Sequence, residues 1–334
     1  MQKLTKNLPK VFTKKEKVIK LQIRGDVMKY DVCVFGGCSV DYMFYHDKDK
    51  NYPKVPDMMV PGGKGSNQAV ASSRAGAKTT IITKIGNDEV GRNILNNFVY
   101  NNVDTSSVEL VKNLENDYAN IYINNSDKDN EIKRFGNAID SFDISLIKNH
   151  QDTILNSKII CCQLKCPIEV TEELIDFCYQ NNKFLILTPC RPKKLQNKLE
   201  LLDKVSIITC NKDESQKLFN TNDIISCVKK YPNKLIVTLG ADGLVYYDGF
   251  EIIKIPSVCV EEVVDTVGAG DTLNGNLASA LSQGDTLKQA LKRAMYASAL
   301  KIQKKTAQAG MPYKEELEKY MLEKDSPKVL ARKK

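Results

Sequence analysis

The sequence contains no tryptophan, only two histidines and no pair of cysteines spaced as C-x-x-C. Because histidine and closely spaced cysteine are the usual zinc ligands, a zinc site is not expected. The ten cysteines are scattered through a chain of 334 residues, which is long enough to bury a sizeable core, so a disulfide framework is not expected either. No apolar run is long enough to cross a bilayer. These absences predict a cytoplasmic protein with no membrane partner.

The positive charge of the chain is concentrated near its beginning. The formal net charge is +8, and residues 1–29 carry eight Lys and one Arg against one Glu and one Asp, a net of +7. Because the rest is close to balanced, no nucleic-acid partner is expected. Residues 1–29 lack the apolar segment of a secretory signal. Their basic composition is also typical of organelle targeting, but lysine in place of arginine and the absence of serine favour a flexible, solvated extension.

Short apolar stretches alternate with helix-like stretches from residue 30 onward. This alternation predicts an α/β protein with a largely parallel sheet that helices cover on both faces. Two polar segments, 42–60 and 118–135, interrupt the pattern and are predicted to form the strands of a lid. We expect one domain over residues 30–324, between the extension at 1–29 and a basic tail at 325–334.

The most informative stretch is Val264–Gly275, which reads VDTVGAGDTLNG. Gly268 and Gly270 permit backbone conformations closed to bulkier residues, so several N–H groups can point into one concavity beside a helix N-terminus. Such a site favours an anion whose charge grows during a reaction. A carboxylate at its mouth repels a resting phosphate, so Asp271 suits a proton acceptor for an incoming hydroxyl. The alternative is an ordinary turn with an aspartate cap.

Three further positions are candidates for ligand binding. Asp41 follows the predicted strand at 30–37, at the edge where open α/β sheets bind ligands, although it also suits a loop or helix cap. Residues 61–71 lack the G-x-x-x-x-G-K-[ST] spacing of a phosphate loop; their glycines instead let a ligand approach the backbone, with Asn67 facing it. Asn211 and Glu214 are three residues apart and suit a capping box, a magnesium-organising pair, or both.

Together these stretches resemble the ribokinase-like (PfkB) carbohydrate kinase family. The similarity covers about residues 30–313 and rests on the elements at 62–68, 211–214 and 265–275. It implies a three-layer α/β/α sandwich with a mainly parallel central sheet and a small β lid. It also implies a kinase that uses ATP and Mg²⁺, a K⁺ site, and a homodimer formed through the lid. The 61–71 element is typical of members that phosphorylate D-ribose to ribose 5-phosphate.

The resemblance also implies a role for each motif residue. Asp271 is the implied catalytic base, and the implied anion hole is formed by Gly268, Ala269 and Gly270. The residues implied to bind the sugar are Asp41, Gly63, Lys64, Asn67 and Lys165. The residues implied to bind the nucleotide are Asn211, Thr238, Gly240 and Gly243, of which the last is also typical of a plain turn. The residues implied to organise metals are Glu214 for Mg²⁺, through water, and Asp265 and Val267 for a monovalent cation.

The sequence departs from the family pattern at the implied sugar site. Lys165 stands where relatives commonly carry glutamate, and a lysine can only donate hydrogen bonds. Either Lys165 or Arg191 can pair with a carboxylate or phosphate on an acceptor. The other departures are at Ser39, Thr188, Thr306 and Gly310. The alternatives left open are another sugar, including an anionic one, a nucleoside, or a catalytically silent sugar- or nucleotide-binding relative.

Overall fold

The computed structural model of this chain describes residues 28–47, 53–124 and 130–325. Most of the predicted extension, up to residue 27, and the predicted tail from residue 326 lie outside the described residues, so their bounds stay predictions. Two short parts of the predicted lid, 48–52 and 125–129, lie outside them as well. Within the described part of the chain, no helix is both long enough and apolar enough to span a bilayer.

The described strands form one large and one small sheet. In chain order the strands are β1 (Tyr30–Phe35), β2 (Ser39–His46), β3 (Met58–Gly62), β4 (Thr79–Gly86), β5 (Val108–Val111), β6 (Tyr118–Asn124), β7 (Asn130–Phe135), β8 (Ser157–Gln163), β9 (Phe184–Thr188), β10 (Ile207–Asn211), β11 (Leu235–Thr238), β12 (Leu244–Tyr247) and β13 (Ile252–Ile255). The large sheet has the order β13-β12-β11-β10-β9-β8-β1-β4-β5. It is parallel from β11 to β5, and β12 and β13 extend it antiparallel at one edge.

Helices cover both faces of the large sheet. In chain order the helices are α1 (Lys64–Arg74), α2 (Glu89–Tyr100), α3 (Ile144–Asn149), α4 (Gln151–Leu155), α5 (Ile168–Gln180), α6 (Lys212–Phe219), α7 (Ile224–Lys230), α8 (Ala269–Ser282), α9 (Leu287–Lys301) and α10 (Lys314–Asp325). Alternate side chains of β1 face opposite cores: Val32 and Val34 belong to the core that contains residues of α1, α8 and α9, whereas Cys33 and Phe35 belong to the core that contains residues of α5 and α7. The predicted three-layer α/β/α sandwich is therefore confirmed.

The small sheet has the strand order β3-β2-β6-β7 and is built from both predicted lid segments. The first segment is predicted to start at residue 42, whereas β2 starts at Ser39. Asp41 therefore lies inside a strand, opposite Val60 and Ala119, and the loop or helix-cap alternative for it is wrong. The error arises because pairing with β3 and β6, both distant in sequence, extends the strand. The predicted homodimer through this sheet stays a prediction.

Helices α1 and α8 cross at very short range, and the crossing brings the two glycine-rich motifs together. A Cβ atom at Gly275 would lie 2.5 Å from the Ala71 Cβ and 2.7 Å from the Ser72 nitrogen. Only glycine lets the two backbones approach so closely. The contact sets the position of the first turn of α8 relative to the first turn of α1.

We expect Gly275→Ala to lower the free energy of unfolding by about 1–3 kcal/mol, because the added methyl group must push two packed helices apart. Urea denaturation of the purified proteins measures the change. Gly270→Ala is the matched control: it lies in the same helix, has no atom within 4 Å of the added Cβ, and is expected to be as stable as the wild type or more so. Equal losses in both variants would contradict a specific effect of the crossing.

Candidate active site

The N-terminus of α8 forms the turn predicted from the glycine motif. Gly268 precedes the helix in a left-handed conformation with φ 82°, and a Cβ there would lie 2.9 Å from the Ala307 carbonyl oxygen. The Ala269 N–H donates to the Thr266 carbonyl at 3.1 Å, so this member of the predicted anion hole is already engaged. Among the described residues, the N–H groups of Gly270 and Asp271 have no backbone acceptor. These two amides are the ones that can receive an anion.

Asp271 lies in the first turn of α8 with 5% of its surface exposed. Its Oδ2 accepts a hydrogen bond from Asn67 Nδ2 at 3.0 Å, and its Oδ1 accepts one from Gln68 Nε2 at 3.1 Å. The Lys64 Nζ lies 4.0 Å from Oδ1. The negative charge of Asp271 raises the pKa of Lys64, and partial burial opposes that shift. The first five residues of α1 thus supply two donors and one positive charge to a single carboxylate.

Further amide side chains hold these donors in place. Gln163, at the end of β8, donates from Nε2 to the Gln68 Oε1 at 2.8 Å. Gln308 donates from Nε2 to the Asn67 Oδ1 at 3.0 Å and to the Ser66 hydroxyl at 3.0 Å. Sequence reasoning assigned no role to these three glutamines. The one available signal was that each lies in or beside a motif stretch.

Two pockets meet at Asp271. The larger has a volume of about 530 Å³ and the smaller about 240 Å³, and both are lined by Lys64, Gly268 and Asp271. The larger pocket lies between these residues and the small sheet, which contributes residues of β2, β6 and β7. The smaller pocket is lined by the ends of β9, β10 and β11 and by the start of α8. A group bound in one pocket can therefore reach a group bound in the other beside the Asp271 carboxylate.

All five residues predicted to bind the sugar line the larger pocket: Asp41, Gly63, Lys64, Asn67 and Lys165. Ser39, another departure from the family pattern, lines it as well, as does Arg191. Burial raises the pKa of Asp41, and the positive charges of Lys165 and Arg134 oppose that shift. Burial also lowers the pKa of Lys165. The larger pocket therefore combines the partly buried Asp41 carboxylate and three further aspartates with several cationic side chains.

The smaller pocket contains part of the predicted nucleotide set. Two of its four members, Asn211 and Thr238, line the pocket together with Gly270 and Asp271, whereas Gly240 and Gly243 lie outside the lining that the described residues define. A Cβ at Gly243, which has φ 87°, would lie 2.0 Å from the Ile255 carbonyl oxygen, as expected for the turn alternative. Thr188 lines this pocket and not the larger one, and its Oγ1 accepts from Asn274 Nδ2 at 3.1 Å.

Glu214 combines a structural contact with a place in the smaller pocket. Its N–H donates to the Asn211 Oδ1 at 2.8 Å, and its Oε2 accepts from the Asn211 N–H at 3.0 Å, which is the predicted capping box. Among the described residues, no group of three or more His, Cys, Asp or Glu side chains could hold a metal alone. Since Mg²⁺ usually keeps several waters and binds substrate phosphates, one carboxylate facing the pocket fits its needs.

At the predicted monovalent-cation site, Asp265 is bonded to other groups of the protein. The Asp265 Oδ1 accepts from the Val267 N–H and its Oδ2 from the Thr306 N–H, each at 2.8 Å. The Asp265 carbonyl oxygen accepts a hydrogen bond from the Lys301 Nζ at 2.7 Å. Val267 itself lines the larger pocket. A K⁺ ion held by the Asp265 carbonyl would need the space that the ammonium group takes, so the residues present do not fit that ion.

We expect Asp41→Asn to raise the urea midpoint at pH 7. Burial raises the pKa of Asp41 in the folded chain, so stability is lost as the pH rises from the unfolded pKa through the folded pKa. Below the unfolded pKa, near 3.8, both states are protonated and the gain disappears. Urea curves from pH 7 downward test this trend. Asp140→Asn, an exposed aspartate on the rim of the same pocket, is the control, and an equal gain there would contradict the role of burial.

Comparison with known proteins agrees with the fold described above. The pfkB family carbohydrate kinase model matches residues 29–314. The chain is 35% identical over 298 residues to the ribokinase of Bacillus subtilis strain 168, which covers 87% of this chain and 99% of that protein. It superposes on Thermotoga maritima ribokinase with a TM-score of 0.75 at 26% identity, covering 87% and 98% of the two chains. Arabidopsis thaliana ribokinase, solved in complex with ribose and ATP, has the same fold, with a TM-score of 0.76 at 23% identity and coverage of 87% and 98%. The chain therefore belongs to the PfkB family of carbohydrate kinases.

Proposed function

We propose that this protein transfers the γ-phosphoryl group of ATP to a hydroxyl group of D-ribose and forms ribose 5-phosphate. The observation that carries the proposal is the position of Asp271, a buried carboxylate where the two pockets meet beside the N-terminus of α8. The names of the relatives support the acceptor and the nucleotide, since they are ribokinases and one was solved with ribose and ATP. The reaction is a phosphoryl transfer to an alcohol.

In this proposal the larger pocket binds ribose and the smaller pocket binds the phosphates of ATP. Asp41 accepts hydrogen bonds from sugar hydroxyl groups, because a carboxylate offers only acceptor oxygens. Asn67 and Gln68 donate hydrogen bonds to the two oxygens of Asp271 and so orient the carboxylate toward the ribose hydroxyl that is phosphorylated. Holding the reacting groups in this way lowers the entropic part of the barrier.

The chemical step follows from the groups around Asp271. The carboxylate takes the proton of the ribose hydroxyl, the hydroxyl oxygen forms a bond to the γ-phosphorus, and the bond to the leaving oxygen of ADP breaks. The N–H groups of Gly270 and Asp271 stabilise the transferring phosphoryl group, and Lys64 adds positive charge from the shared wall of the two pockets. Asn211 and Glu214 would hold Mg²⁺ through water, and that ion would supply charge beside the β- and γ-phosphates.

We expect Asp271→Asn to lower kcat by at least about a hundredfold, because an amide cannot accept the hydroxyl proton. Initial rates with ribose and ATP measure the loss, and the urea midpoint is expected to change little. Asp285→Asn, beyond the opposite end of α8, is the matched control and is expected to keep normal turnover. Near-normal turnover of Asp271→Asn would remove this residue from the mechanism.

An anionic acceptor is the second candidate, and the lysine at position 165, where relatives commonly carry glutamate, favours it. Lys165, Arg134 and Arg191 all line the pocket, and Arg191 also donates from Nη1 to the Lys165 carbonyl at 3.1 Å. With Lys64 these make four cationic side chains, and four aspartates line the same pocket: Asp41, Asp117, Asp140 and Asp271. Each cationic side chain can pair with a carboxylate or phosphate on the acceptor.

A panel of ribose, fructose, 2-keto-3-deoxygluconate and a nucleoside, assayed by ATP consumption, separates the two candidates. If the acceptor is anionic, Lys165→Met is expected to raise its KM by about tenfold or more, since a charge-assisted hydrogen bond is lost. If the acceptor is ribose, the same variant has a much smaller effect. Lys288→Met, an exposed lysine on α9, is the control. Binding of a panel member without ATP consumption would favour a catalytically silent relative.

A further inference from the structure

Lys301, the last residue of α9, has a side chain with 0% of its surface exposed. Lysine is rarely buried without a partner. The Nζ donates to the Asp265 carbonyl oxygen at 2.7 Å and lies 4.0 Å from the Asp265 Oδ2. Burial lowers the pKa of Lys301, and the charge of Asp265 opposes that shift. The partner of this buried ammonium group is therefore the main chain and carboxylate of one residue.

Asp265 holds the loop that leads into the first turn of α8. Its two carboxylate oxygens accept from the N–H groups of Val267 and Thr306, so it ties this loop to the loop after α9. One turn before Lys301, the Ser298 hydroxyl donates to the Ala269 carbonyl at 3.0 Å. Helix α9 therefore supports residues 265–269 at two points, next to the free amides of Gly270 and Asp271.

Gly310 makes room for this arrangement. A Cβ atom at residue 310 would lie 2.5 Å from the Lys301 carbonyl oxygen and 3.1 Å from its Cα. Any larger residue at 310 would push the end of α9 away from Asp265. Gly310 is also one of the positions where the sequence departs from the family pattern, as is Thr306, which has φ 64°. The two departures, at residues 306 and 310, therefore lie in the loop that packs against Lys301, whose side chain fills the space beside Asp265.

We propose that the Lys301 ammonium group acts as a built-in cation at the point where the resemblance implies a K⁺ site, so that turnover does not require K⁺. The inference rests on the proposed kinase function. Lys301 touches no substrate in this proposal and is a positioning residue: it neutralises Asp265 and holds the loop that presents the anion-binding amides. A positive charge in this place also favours negative charge at the N-terminus of α8.

The first experiment measures turnover in KCl and in tetramethylammonium chloride at equal concentration, since the bulky cation cannot enter a small site. The wild type is expected to be equally active in both salts. Lys301→Ala leaves space for an ion, and we expect it to be about tenfold slower or more in tetramethylammonium chloride and restored by KCl, a size typical of coupling between sites. Lys301→Met fills the space without charge and is expected to be slow in both salts.

The second experiment measures thermal unfolding of the same proteins in the same salts, without nucleotide or sugar. A cation that binds only the folded chain raises Tm by mass action. We expect a K⁺-specific rise for Lys301→Ala and none for the wild type. Lys305→Ala, an exposed lysine in the same loop, is the control in both experiments and is expected to match the wild type.

Each contrary result has a defined meaning. Activation of the wild type by K⁺, or a K⁺-specific rise of its Tm, would overturn the inference even if the variants fail to fold. The inference would also be overturned if Lys301→Ala were equally active in both salts. The same holds if this variant were slow in both salts and showed no K⁺-specific rise of its Tm. If the wild type phosphorylates none of the acceptors, the proposed function fails, and the thermal measurement still decides whether Lys301 replaces the ion.

Discussion

A carboxylate that is shielded from water needs hydrogen-bond donors and positive charge in place of the solvent it has lost. Asp271 meets this requirement through Asn67, Gln68 and Lys64, all among the first five residues of α1. The close crossing of α1 and α8 at Gly275 brings these residues to the carboxylate, and Gln163 and Gln308 fix the two amides. Because this arrangement sets the positions of Lys64 and Asp271, it also fixes where the two pockets meet.

The layer architecture could be predicted because its causes are local. Strand β1 is apolar on both faces, which suits only a sheet covered on two sides, and the segments after it alternate between strand-like and helix-like patterns. The turn before α8 and the capping box of Asn211 and Glu214 could be predicted for the same reason, since glycine conformation and short-range spacing determine both.

Features that depend on distant segments could not be predicted in this way. Asp41 lies in a strand because β3 and β6 pair with it, and no pattern around residue 41 contains that information. The contact of Gln308 with Asn67 joins residues 241 positions apart. Lys301 looks like the last basic residue of an amphipathic helix, a favourable place for a surface charge, yet the fold turns it inward. The family pattern supplied roles for positions, but not the identity of the group that fills the space beside Asp265.

The contact between Gln308 and Asn67 also bears on how the molecule is made. Ribosomes build chains from the N-terminus, so a nascent chain that stops short of residue 308 has α1 and α8 but lacks the amide that fixes Asn67. The carboxylate at 271 is then held less rigidly, whatever the state of the sheet beneath it. The complete hydrogen-bond network around Asp271 therefore forms only after residue 308 has been translated, because one of its contacts joins residues 241 positions apart.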